Sequence, residues 1–237
     1  MVWIGIDDTD IVGSPGTNQM ARAIVAALSD GYVCQYILRH QLLYDPRVPY
    51  TSKNGSASIE LVSRSNVPCR LEEIAAVAAI CETVMKDRFV EGSDPGLCVV
   101  RRAPKSIQEF GRRCQRELVG LRDAEALAAQ EGVFLKGLAG TCGGIIGALA
   151  AVGLAATRDD GRVVVLGTWP EVSGMVSVEQ LNAQGIAVMN AATMKAVTTG
   201  TIDLVKKLRP NIRQGQVVLQ VRSAPEGHAA DWIAIKV

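Results

Sequence analysis

The first ten residues constrain this chain most. Val2 to Ile6 is a short apolar run that ends in Asp7-Asp8-Thr9-Asp10, as expected of a buried strand delivering functional groups at its carboxyl end. Gly13-Ser14-Pro15-Gly16-Thr17 then punctuates the chain, and Met20, Ala21, Ile24, Val25 and Leu28 recur at helical spacing. Thr17 or Ser14-Pro15 can start that helix. Strand, polar loop and helix in succession predict an α/β fold.

The pattern continues downstream. Tyr32 to Leu38 and Ser56 to Val62 suit strands joined by a polar connection holding Asp45-Pro46 and Asn54-Gly55. Leu71, Ile74, Ala75, Ala78, Cys81 and Met85 mark a helix, and Leu97 to Val100 a further strand. Pro104 to about Ala129 is charged and helix-forming, broken near Gly120. Ile145 to Ala155 and Ile202 to Leu208 suit helices, and Arg162 to Leu166, Val217 to Val221 and Trp232 to Val237 suit strands. Gly174 to Gly200 is ambiguous. Without a low-complexity linker, the expectation is two packed α/β lobes, residues 1–120 and 121–237.

Composition excludes several classes. With 237 residues and 48% apolar side chains the chain can bury a large core without staples. A net charge of +1 gives no broad cationic field, though local basic patches remain open. Six dispersed cysteines without a C-x-x-C pair, and only His40 and His228 as imidazoles, argue against a closed zinc site and for a reducing cytoplasm. Ile145 to Ala156 is too short to span a bilayer, so no membrane role is expected. Homo-oligomerisation is left open.

Asp7, Asp8 and Asp10 form the strongest candidate site. Three carboxylates within four positions repel one another unless water, a cation or hydrogen-bond donors compensate. In an extended chain Asp8 and Asp10 would project to one side, as hard oxygen ligands for Mg²⁺ bridging substrate phosphates. A solvated acidic turn with one aspartate capping a local amide fits the same residues. Gly16, Thr17 and Asn18 precede the helix, where free amides and the dipole receive an anion, or where a simple N-cap suffices. Lys53, Asn54 and Gly55, within Thr51 to Ser56, combine an ammonium, hydroxyls and a turn suited to phosphate; an exposed strand entry fits equally. Gly140, Gly143 and Gly144, within Gly137 to Gly144, allow close backbone approach to a ligand or close helix packing, with Lys136 a potential cation. His40, Arg39 and Arg47 suit surface or strand-edge positions better than catalysis, and Cys142 a packed thiol better than a nucleophile.

Taken in order, Gly5-Ile6-Asp7-Asp8-Thr9-Asp10, Asp94-Pro95-Gly96 and Gly144-Ile145-Ile146-Gly147-Ala148-Leu149-Ala150-Ala151-Val152-Gly153 resemble the archaeal tRNA(Ile) agmatidine synthetase family. The resemblance implies a kinase-like domain over residues 1–120 and a ferredoxin-like domain over 121–237. It also implies ATP activating a cytidine carbonyl before an amine displaces the phosphate. Val48-Pro49-Tyr50-Thr51-Ser52-Lys53-Asn54-Gly55 is similar to the family's Ile-Pro-Trp-Lys-Thr-Arg-Gly-Asn-Gly, one residue shorter and with the basic group displaced. Cys142-Gly143-Gly144 stands where the family has Gly-Arg-Gly, so that arginine is absent. Zinc-ribbon cysteines are absent too, and the expectation is of the first two domains without the family's OB-fold and zinc ribbon.

The function expected is therefore an ATP- and Mg²⁺-dependent phosphotransferase or ligase acting on a small-molecule or nucleotide acceptor. Asp7, Asp8 and Asp10 would hold the metal and serve catalysis with Lys53, while Gly16, Thr17, Asn18, Asn54, Gly55, Gly140, Gly143 and Gly144 would hold the nucleotide. Alternatives are a stand-alone tRNA-modification subunit and a nucleotide-sensing module. Tight tRNA binding by the isolated chain is not favoured, because composition offers little to grip a polyanion.

Overall fold

A computed structural model describes residues 1–48, 53–65 and 71–235. Its contacts divide into two units, Met1–Thr157 with Val164–Thr168, and Arg158–Val163 with Trp169–Val237. The first unit holds β1 (Val2–Asp7), α1 (Thr17–Ala27), β2 (Tyr32–Gln41), β3 (Gly55–Ser63), α2 (Leu71–Asp87) and β4 (Gly96–Val100). It continues through α3 (Lys105–Cys114), α4 (Leu121–Glu131), β5 (Phe134–Gly137) and α5 (Gly144–Ala156) into β6 (Arg162–Leu166), whose last three residues belong here. The strand order is β5-β4-β1-β3-β2-β6, antiparallel from β5 to β2.

Alternation along β1 builds two cores. Val2, Ile4 and Ile6 join Ile59 and Leu61 of β3, Leu97 and Val99 of β4, Ile24 of α1, and Cys81 and Met85 of α2. The other face gathers Cys98 and Val100 with Ile107 and Phe110 of α3, Ala124 of α4, and α5. With both faces covered, β4 is buried along its whole length, which is why it reads as one apolar run. Helix α5 is apolar all round and buried at Gly144, Ile145 and every position from Gly147 to Ala155. A Cβ at Gly96 would overlap the backbone of Gly144, so helix and strand meet backbone to backbone.

That helix explains why the units divide after Thr157, whereas a boundary was expected at residue 120. An all-apolar helix needs cover on several sides, and β1, β4 and α3 supply it.

The second unit holds β7 (Ser173–Ser177), α6 (Val178–Ala183), β8 (Ile186–Asn190), β9 (Thr201–Lys207), β10 (Asn211–Arg213), β11 (Gln216–Ser223) and β12 (Trp232–Ala234). β10 and β11 form a hairpin, β8 pairs parallel to β11, and β12 joins β11 to β9, which pairs antiparallel with β7. Ser177 caps α6 by a reciprocal box with Gln180. The mixed α/β class holds for the chain, with one local correction. The helix expected over Ile202 to Leu208 is β9. Ile202, Val205 and Leu208 sit at helical spacing, but Ile202 and Leu204 are buried by strand alternation while Val205 is exposed at a left-handed φ of 63°. Pairing with β7 and β12 overrides a periodicity too short to decide the issue. Among the described residues this unit accordingly has one helix, where a ferredoxin-like βαββαβ order has two. The tail expected as strand through Val237 is strand to Ala234, and residues 236–237 lie outside the described part.

Candidate functional site

The antiparallel register brings strand ends distant in sequence together along one edge that runs across the ends of β1, β4 and β5. Asp7, the last residue of β1, lies opposite Gly96, which lies opposite Gly137 at the end of β5. The loop from Gly137 then leads directly into α5. A cavity of about 250 Å³ opens at this edge. Asp7, Asp8, Asp10, Thr17, Lys53, Asn54, Gly55, Gly143 and Gly144 line it, so most of the sequence-derived candidates converge. Leu42, Leu43, Cys114, Leu118, Val119 and Ile146 give it an apolar wall.

The acidic residues occupy different environments. The Asp7 carboxylate fits against α5 only because residue 147 is glycine; a Cβ there would overlap it. Burial pushes the Asp7 carboxyl up to about 7; the Asp8 amide and, more weakly, Arg39 oppose this, while Asp8 and Asp10 reinforce it. Asp8 departs from the extended geometry expected of it: its φ is 50°, a left-handed conformation that aspartate tolerates. The period-two argument for Asp8 and Asp10 therefore does not apply. Burial, then the charges of Asp94 and Asp10, raise the Asp8 carboxyl to about 6. Asp10 Oδ1 accepts from the Thr17 amide at 3.1 Å and the Thr17 hydroxyl at 2.7 Å, so this carboxylate caps α1, one of the two uses open to the cluster. Thr9 is buried, and among the described residues its hydroxyl has no partner.

Asp94 is the residue missing from the sequence-derived site. It precedes β4 and lines the cavity. Its amide donates to the Asp8 carbonyl at 3.1 Å, and its Oδ2 accepts from the Thr141 hydroxyl and from the Gly143 amide at 3.0 Å. Oδ1 is buried without a partner among the described residues. The signal was present in Asp94-Pro95-Gly96, yet only the β1–β4 pairing makes it a neighbour of the acidic turn. The glycine loop is thus tied to a carboxylate through Gly143, and Gly140, at a φ of 62°, leaves room for the Asp94 side chain.

Other candidates are placed elsewhere or otherwise engaged. Gly16 caps α1 through its backbone alone, and Gly16, Asn18 and Gly140 do not line the cavity. Asn54 shapes the β2–β3 connection, its Nδ2 donating to the Leu43 carbonyl at 2.8 Å. Lys53 is exposed at the cavity, while Thr51 and Ser52 lie outside the described residues. Lys136 pairs with Glu82 at 2.7 Å rather than facing the cavity. Arg47 lines the cavity but forks onto Asp45, whose carboxyl that guanidinium holds down at about 2. His40, expected near a surface, is fully buried on β2 with Nε2 2.8 Å from the Ser58 hydroxyl. The described cysteines form no disulfide; Cys69 lies outside them.

The oxygens present suit a hard cation, and the unpartnered Oδ1 of Asp94 is the position that most needs a donor or a positive charge. Among the described residues, no three carboxylate, imidazole or thiol groups are already gathered into a metal shell. No helix among them is long and apolar enough to cross a membrane.

These features define a class: a two-faced α/β sheet whose edge carboxylates gather over the start of a buried helix. No protein-family model matches the chain, and no curated protein does. Among solved structures it is similar to a tRNA fluorescent labelling enzyme, with 23% identity and a TM-score of 0.55 over 64% of this chain and 35% of that one. It is also similar to the agmatidine synthetase TiaS in complex with an isoleucine tRNA and ATP, with 21% identity and a TM-score of 0.57 over 75% and 39% of the two chains. For apo TiaS the values are 18% and 0.54 over 75% and 38%. The chain spans little more than a third of these proteins' lengths. The family resemblance carried by the motifs is thus matched in the fold.

Proposed function

We propose that the first unit is an ATP-dependent site that activates an oxygen of a nucleotide-containing acceptor, with tRNA as the acceptor to test first. The observation that carries this is the convergence of Asp7, Asp8 and Asp94 with Thr17 and Lys53 around one cavity. The fold is shared with a solved enzyme whose complex holds tRNA and ATP.

Asp8, Asp94 and Asp7 would hold Mg²⁺, which usually takes one or two carboxylates together with phosphate oxygens and water. Bound Mg·ATP supplies the phosphoryl group and screens its charge. Asp10 fixes the start of α1 through Thr17, and this cap holds the turn at the cavity mouth. Lys53, which lines the cavity, would stabilise negative charge as it develops. The apolar wall of Leu42, Leu118, Val119 and Ile146 would exclude water and receive a flat base. The acceptor oxygen would form an O–P bond to the terminal phosphorus as the bond to the bridging oxygen breaks and the nucleoside diphosphate departs; an amine would then form C–N as C–O breaks, losing its proton to solvent while phosphate leaves with the oxygen.

The test is incubation of the full chain with ATP, Mg²⁺, bulk tRNA and a pool of amines, with mass analysis of nucleosides and ³¹P NMR of products. The expected result is an amine-dependent mass gain on one nucleoside with release of inorganic phosphate. A stable phosphorylated small molecule as sole product, indifferent to amines, would establish a simple kinase instead.

A further inference from the structure

We infer that the C-terminal end of β9 in the second unit, with the turn that follows, is an RNA-docking surface. The inference rests on the tRNA reading of the function and assigns a surface to it. From Leu204 to Arg213 the chain carries Lys206, Lys207, Arg209 and Arg213 and no carboxylate, a local asymmetry hidden by the overall charge of +1. Lys206 and Lys207 are exposed. The nearby acids are largely engaged. Glu171 pairs with Lys207 at 3.0 Å, Asp203 faces His228 at 3.4 Å and accepts from the Val205 amide at 2.7 Å, and Asp231 accepts from the Thr201 amide at 2.7 Å. Among the described residues no carboxylate pairs with Lys206 or Arg209.

Two further observations mark the same place. Val205 is a β-branched residue held at a left-handed φ of 63° and 62% exposed on the outward side of β9. Across the β7–β9 ladder, where the register shifts, Met175 is 50% exposed. Apolar side chains presented beside cations match a polymer that offers flat bases along a phosphate backbone. An acidic protein would meet the cations but supply no stacked faces.

The experiment measures anisotropy of labelled bulk tRNA with the full chain across a salt series, for wild type and for Lys206→Ala/Lys207→Ala/Arg209→Ala. The wild type is expected to bind. The triple variant should bind about tenfold or more weakly, with a log–log salt slope smaller by about 2, given roughly 0.7 to 0.9 per lost phosphate contact. ATP binding and the unfolding midpoint should be unchanged. Val205→Ala, with the cations intact, should weaken binding without changing the slope. Equal affinity and slope in the triple variant, absence of tRNA binding by the wild type, or competition by poly-aspartate at equal charge would overturn the surface. The functional reading fails separately: if tRNA binds through these residues yet gains no ATP-dependent mass, the surface stands and the acceptor assignment does not.

Discussion

The acidic turn of the first unit and the basic end of β9 in the second handle concentrated charge in opposite ways. Asp7 and Asp8 are partly withdrawn from water, and burial with mutual repulsion raises their carboxyls to about 7 and about 6. Lys206 and Lys207 stay in solvent on a strand end distorted at Val205. The turn is held by packing that admits no extra atom, as at Gly147, whereas the basic strand end is held by edge pairing that tolerates irregularity. Charge kept under constraint suits a site that binds a small, highly charged group in one geometry. Charge left exposed suits a surface that meets a long polymer.

The largest expected effect breaks the constrained region. Gly96→Ala would set a Cβ into the backbone of Gly144, and the expected loss is about 3 kcal/mol or more in urea unfolding. Gly215→Ala, at the β10–β11 turn, meets nothing within 4 Å, and its φ of 78° should cost only about 1 kcal/mol. Equal losses at the two positions would remove the contrast. A smaller effect follows at Asp94. Asp94→Ala removes the acceptor of Thr141 and Gly143, and should cost about 2 kcal/mol while accelerating amide exchange at Gly143. Unchanged exchange there would mean the loop is held by helix packing alone.

A pH titration sharpens the comparison further. Between the ordinary carboxylate value of 3.8 and the raised values, the folded state keeps protons that the unfolded chain has released. Stability of the metal-free protein should therefore fall as pH rises from about 4 towards about 7, then level off. Asp7→Asn should flatten that slope, and Mg²⁺ should stabilise more at pH 8 than at pH 5. A slope of the opposite sign would contradict the burial argument.

Much of the first unit was legible because local rules and the final fold agree. Val2 to Ile6, the turn and the Met20–Ile24 helix carry their own periodicities, and α5 announced itself as an apolar run. Asp94 was not legible as a site residue, because only the antiparallel partnership of β1 and β4 brings it beside Asp8. Nor was β9, whose spacing of Ile202, Val205 and Leu208 imitates a helix; with only Ile202 and Leu204 buried, its alternation is too short to outweigh that spacing. The left-handed Asp8 belongs to the same category, since its side-chain direction follows from φ rather than from sequence order.

The most direct test of the central claim, that Asp7, Asp8 and Asp94 form a cation-assisted ATP site, is calorimetric titration of ATP into wild type and Asp8→Asn with and without Mg²⁺. Asparagine suits the left-handed backbone at this position and removes only the charge. Mg²⁺-dependent ATP binding is expected of the wild type, weakened about tenfold or more in Asp8→Asn, with the unfolding midpoint unchanged or raised. Equal ATP affinity and equal metal dependence in both folded proteins would contradict it.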